Sequence, residues 1–125
     1  MKNRIEHDVH EDYLEVRLYG LIDPAMEKEE SISRWSKIAG FCKQENKNKA
    51  LVVSHFKGVY RMDTSFNLVE NANHLGWEFD YKLALVVLDG DRFMRLKFIE
   101  NAMTQYGYDM KLFRNKRDAK KWLLS

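Results

Sequence analysis

The chain has 125 residues, enough for one domain that buries about two-thirds of the surface its unfolded form exposes. A hydrophobic fraction of 45%, a charged fraction of 32% and a single proline exclude the biased makeup of disordered or fibrous chains. The net charge of +2 is too small to imply a nucleic-acid partner.

Two β-like runs open the chain, Ile5 to Val9 and Tyr13 to Tyr19, separated by the acidic turn His10-Glu11-Asp12. Leu14, Val16 and Leu18 alternate with Tyr13, Glu15, Arg17 and Tyr19, the period of a strand with one covered face. The short connection predicts an antiparallel hairpin, with Gly20 closing its second strand. Asp23-Pro24 then reads as a helix start: aspartate accepts orphan amide hydrogens and proline suits the first helical position. This helix is expected to reach about Asn46, with Ile32, Trp35, Ile38, Ala39 and Cys42 on its core face.

Ala50 to Phe56 is an uninterrupted β-rich run, as in a central strand covered on both faces. Asp63 begins a second helix through Leu68, Val69, Ala72 and Leu75 that ends at Gly76. Leu83 to Leu88 is a second buried strand, and Asp89-Gly90-Asp91 a turn. A third helix carries Phe93, Leu96, Phe98, Ile99, Ala102, Met103 and Tyr106 and stops at Gly107. Tyr108 to Phe113 is the last strand, and Asn115 caps a closing helix with Ala119, Trp122 and Leu123. The order ββαβαβαβα predicts a single α/β domain over residues 1–125, a mixed, mostly parallel sheet with packed helices. Val52, Val53, Leu85 and Val87 are expected in its buried central strands.

Charge is uneven along this order. Residues 1–30 hold four Lys or Arg against nine Asp or Glu, a net −5, whereas residues 92–125 hold nine against three, a net +6. A basic last quarter reads as a solvated helical face, with an anionic ligand or membrane site as the alternative. Cys42 is the sole cysteine, so no internal disulfide forms and a reducing compartment fits. Its helical placement makes it a small buried hydrophobe before a nucleophile. The opening MKNRIEHDVHED lacks the apolar stretch of a signal peptide, and the longest apolar run, Leu83 to Leu88, is far short of a membrane span. A cytoplasmic protein is expected.

The segment Leu51-Val52-Val53-Ser54-His55-Phe56-Lys57-Gly58-Val59-Tyr60-Arg61-Met62-Asp63-Thr64-Ser65 resembles the phosphorylation-site segment of STAS domains, among them the anti-sigma-factor antagonists. There a hydrophobic strand, a short loop and an apolar residue precede Asp-Ser-Ser-Gly-Leu at a helix start. Leu14 to Asp23 is similar to that family's second strand, with its glycine and acidic residue before the first helix. From Leu83 onward the pattern is closer to the divergent SpoIIAA-like, or STAS/SEC14, branch with its CRAL-TRIO-like arrangement and final Ala119-Lys120-Lys121-Trp122-Leu123 helix. The resemblance implies a SpoIIAA-like (STAS-like) fold and a regulatory or protein-interaction module rather than an enzyme. A small apolar-ligand or lipid carrier is the alternative. Thr64 takes the phosphoacceptor position, while Phe66 and Asn67 stand where the family has glycine and leucine.

Whatever the branch, Asp63-Thr64-Ser65 suits a helix N-terminus, either as a plain cap or as a phosphoacceptor whose added charge the same amides accommodate. Tyr60, Trp77, Phe79 and Tyr81 flank the second helix, as a roof over the core or as a contact patch for a ligand or protein. His7, His10, His55 and His74 lack metal-ligand spacing, and no phosphate-binding loop, dinucleotide fingerprint or nucleophile elbow occurs, so no metal, cofactor or catalytic residue is expected. The partner, whether a protein, an apolar ligand or a second copy in a homodimer, is not specified by these motifs.

Overall fold

A computed structural model describes residues 3–57 and 67–125. Its five strands are β1 (Arg4–Val9), β2 (Leu14–Leu21), β3 (Lys49–Lys57), β4 (Lys82–Val87) and β5 (Asp109–Phe113). The helices are α1 (Glu27–Gln44), α2, helical at 67–70 and continuing as turns over 71–76, α3 (Gly90–Gln105) and α4 (Lys116–Leu123). The expected order is the observed one.

The strands lie in sequence order, β1-β2-β3-β4-β5, with β1 antiparallel to β2 and every later pair parallel. Successive crossovers of one hand between neighbouring parallel strands put their helices on one face. Rows of side chains across that front face follow from the register: Leu14, Ala50, Leu83 and Met110, then Val16, Val52, Leu85 and Leu112. They form one core with Ile38, Ala39 and Cys42 of α1, Val69 of α2 and Leu96 and Met103 of α3. Because α4 follows the last strand, it is released from this rule and covers the back. There Ala119 and Leu123 pack with Tyr13, Leu51, Val53, Ala84 and Val86. Val52, Val53, Leu85 and Val87 are all buried, and Trp35 and Trp122 pack half-buried against the two cores.

Several local expectations are corrected. β2 does not close at Gly20 but runs to Leu21. Gly20 has φ +144°, and a Cβ there would collide with the side chain of Asn3, so glycine admits the first strand's start at this point. Asp23-Pro24 begins a turn rather than the helix: Asp23 Oδ1 accepts from Ala25 N at 3.0 Å, and α1 starts only at Glu27. α1 ends at Gln44, where Asn46 adopts φ 54° and Lys47 N donates to Cys42 O, the left-handed stop that asparagine tolerates. Tyr106, expected on the core face of the third helix, is exposed because it follows the last turn of α3.

Candidate functional site at the carboxyl ends of the strands

Parallel strands end together, so Leu21, Lys57, Val87 and Phe113 close one end of the sheet. In open α/β sheets this is where ligands and partners dock, since loops rather than core residues follow the strands. The predicted switch residues Asp63, Thr64 and Ser65, and Tyr60 of the predicted contact patch, lie outside the described residues. Their segment leaves β3 at Lys57, at this same end.

Backbone hydrogen bonds and one buried cation tie the surroundings of that exit together. Ile22 N donates to Lys57 O at 2.9 Å, fixing the departing chain to the end of β2. On α3, Asp89 is the N-cap and its carboxylate accepts from Asp91 N at 2.9 Å. One turn in, Arg92 is 5% exposed, and its Nη1 donates to Phe56 O at 2.5 Å and to Ser54 Oγ at 3.5 Å. The carbonyl that precedes Lys57 is thus held by a guanidinium from the next crossover. Arg114 Nη2 donates to Leu88 O at 3.4 Å and lies over Gly90, where a Cβ would press on it at 3.3 Å.

Four exposed large apolar side chains belong to the segments at this end of the sheet: Leu21 ends β2, Met26 precedes α1, Leu88 follows β4 and Met94 lies in the first turns of α3. Leu21 is 46% exposed, Met26 45%, Leu88 47% and Met94 70%. Leu88 is expected in the buried strand Leu83 to Leu88, but β4 stops at Val87 and leaves it exposed, while sequence periodicity assigns no role to Leu21, Met26 or Met94. Arg92 was legible in principle: with Leu96, Ile99 and Met103 it falls at i, i+4, i+7 and i+11, the core stripe of α3.

The other predicted aromatics belong elsewhere. Trp77 and Tyr81 are buried, ring centroids 5.8 Å apart and edge-on, with Trp35 at 5.9 Å from Trp77. They roof the core. Burial also raises the Tyr81 hydroxyl above its ordinary range, with Glu78 and Cys42 adding to it. Phe79 alone is exposed, stacked on Tyr108 at 4.7 Å. All three precede β4 and so lie toward its amino end, opposite the exit of β3.

Nothing else assembles into chemistry among the described residues. No group of three His, Cys, Asp or Glu is placed to hold a metal. Burial pushes the Cys42 thiol up to about 11, which removes the thiolate a nucleophile needs. His7, His10 and His55 stack singly on Phe41, Tyr13 and Tyr19. No described helix is long and apolar enough to cross a membrane.

No family model matches the sequence, and no curated protein matches it. Among solved structures, the unphosphorylated form of the anti-sigma factor antagonist SpoIIAA is similar to this chain with a TM-score of 0.54 at 13% identity. The match covers 98% of this chain and 96% of that one. The fold is SpoIIAA-like. Coverage this high takes in the opening hairpin and the closing helix as well as the parallel strands. At this identity it is the fold that is shared, and it carries no residue roles with it.

Proposed function

We propose that this chain is a regulatory protein-interaction module that meets its partner at the carboxyl end of the sheet, with Thr64 as its modifiable residue. The observation that carries the reading is the exposure of Leu21, Met26, Leu88 and Met94, all on segments at the carboxyl end of the sheet. Exposed methionines adapt to the shape of a partner, and large apolar groups gathered at one end of a domain mark a contact surface. The SpoIIAA-like fold supports the same assignment, since the similar solved structure is that of an anti-sigma factor antagonist in its unphosphorylated form. A phosphate on Thr64 would add about −2 charge, and a charge carried into an apolar contact opposes docking through its desolvation.

The test is recovery of the partner from the native cell with the wild-type chain, followed by binding of Thr64→Ala and Thr64→Glu. Retained binding for Thr64→Ala and at least tenfold weaker binding for Thr64→Glu support the switch. Equal binding by all three, with no Thr64 phosphate in phosphopeptides across growth phases, leaves Thr64 as a helix cap.

One observation favours the second reading, a small apolar-ligand carrier. A cavity of about 70 Å³ lies between the sheet and α1 to α3, lined by Leu18, Trp35, Leu75, Leu85 and Leu96 with Ser54 and Arg92 at its polar end. That is room for about two waters and under half of the ~150 Å³ that accepts benzene. A lipid would have to force the helices apart, so the interaction module is the better reading. Mass spectrometry of the protein purified from its native cell separates them: a stoichiometric apolar ligand supports the carrier.

A further inference from the structure

A second surface lies at the sheet edge where β1 and α1 run side by side, its Asn3 end adjoining the carboxyl ends of β2 and β3. β1 is the edge of the sheet among the described strands, so one side of its backbone has no strand beside it. Asn3 Nδ2 donates to Glu30 Oε2 at 3.0 Å near one end of the strand, and His7 stacks on Phe41 at 4.2 Å near the other. Strand and helix therefore run in the same direction. Between these two contacts opens a cleft of about 630 Å³, within the range of small-ligand and peptide pockets.

In the row Asn3, Gly20, Phe56 the middle strand contributes no side chain and the Asn3 side chain fills the space over Gly20, so Asn3 and Phe56 both line the cleft at this end. Ile5 forms the near wall, and the Arg34 guanidinium lies 4.2 Å over Phe56 at the back. On the rim, Glu29 and Lys37 are both exposed and stand eight residues apart on α1, about 12 Å along its axis.

That spacing matches an extended chain. In a strand, side chains on one face recur every second residue, so positions four apart are about 13 Å apart and enclose one more side chain on the same face. We propose that β1 and this cleft take an extended peptide of the pattern anion, x, apolar, x, cation. It adds to the edge of β1 antiparallel, the more stable pairing, and therefore runs opposite to α1. Its anion meets Lys37, its apolar side chain enters the cleft against Ile5, and its cation meets Glu29.

Two labelled peptides of equal composition test this on the full chain: acetyl-Ser-Glu-Thr-Leu-Thr-Lys-Ser-amide and its charge-exchanged counterpart acetyl-Ser-Lys-Thr-Leu-Thr-Glu-Ser-amide. By fluorescence anisotropy at low salt, the first binds at least tenfold tighter than the second, and replacing its leucine with alanine weakens it at least tenfold. The double variant Glu29→Lys with Lys37→Glu, both at exposed positions, inverts the preference between the two peptides. Absence of binding by either peptide at millimolar concentration overturns the proposal, as does a preference that the double variant leaves unchanged. Concentration-dependent dimerisation of the wild type that the double variant abolishes would assign the cleft to a second copy of this chain, and also overturns it.

Discussion

Glu15 illustrates how one residue of the second strand serves the whole back face. It is buried, yet its carboxylate receives Lys116 Nζ and Arg17 Nη1, each at 2.9 Å, with His10 Nε2 at 3.7 Å. Burial pushes this carboxyl up, but Lys116 and Arg17 together outweigh it and hold it below its ordinary range. The unfolded chain therefore binds the proton first, at about pH 4.3. The stability contributed by the ionised group is complete above that value and is lost as pH falls through the lower folded value. Glu15→Gln is expected to destabilise at pH 7, and the difference from wild type in urea midpoint should shrink on acidification below about pH 4. A difference that is constant with pH would mean that the pair contributes through packing alone. Arg92 offers a second case: replacing it with methionine leaves the Phe56 carbonyl without its donor and should cost about 1–3 kcal/mol by denaturant unfolding. Cys42, 1% exposed and with its thiol near 11, should resist a thiol reagent at pH 8 until the protein is unfolded.

Among the elements, α4 carries the clearest ranking. Its start is tied to β2 through Lys116 and Glu15, and its end to β4 through Lys82 Nζ, which donates to Trp122 O at 2.8 Å and lies 4.5 Å over the Trp122 ring. Leu123, next to the second tie, is fully buried, while Trp122 is only half-buried against Phe113. Leu123→Ala should therefore cost about 3 kcal/mol and Trp122→Ala only about 2 kcal/mol, less than a fully buried tryptophan would. Thermal unfolding of the two variants checks the order, and a larger loss for Trp122→Ala would place the docking energy in the ring. The elements themselves were legible: alternation marks Leu14, Val16 and Leu18, and the stop residues Gly76 and Gly107 do sit at φ +106° and +96°. Boundaries were less so. Asp23-Pro24 has the chemistry of a helix start, but the same side-chain oxygen serves a turn equally well, and sequence does not say which amide it will reach.

For the molecule as a whole, the element order and the resemblance to STAS domains point to the SpoIIAA-like fold, because hairpin and crossover patterns are local and survive divergence. The proposed contact surface was not legible, since the pair Leu21 and Met26 is far in sequence from the pair Leu88 and Met94 and only the common direction of the strands brings their segments to one end of the sheet. Trp77 and Tyr81 drew notice as aromatics near the second helix, yet they spend their area on the core, which is the commoner fate of large rings. The two readings of function part at Met94. It is 70% exposed on the first turns of α3 and absent from both cores, so Met94→Asp should leave the unfolding midpoint within about 0.5 kcal/mol of wild type. If the carboxyl end is the partner surface, the same variant should lose the natively recovered partner by tenfold or more, because a carboxylate would be desolvated against apolar contacts. Phe79→Asp, at the opposite end of the sheet, serves as the control and should bind normally. Partner binding indifferent to Met94→Asp but lost with Phe79→Asp would move the docking surface to the amino ends of the strands.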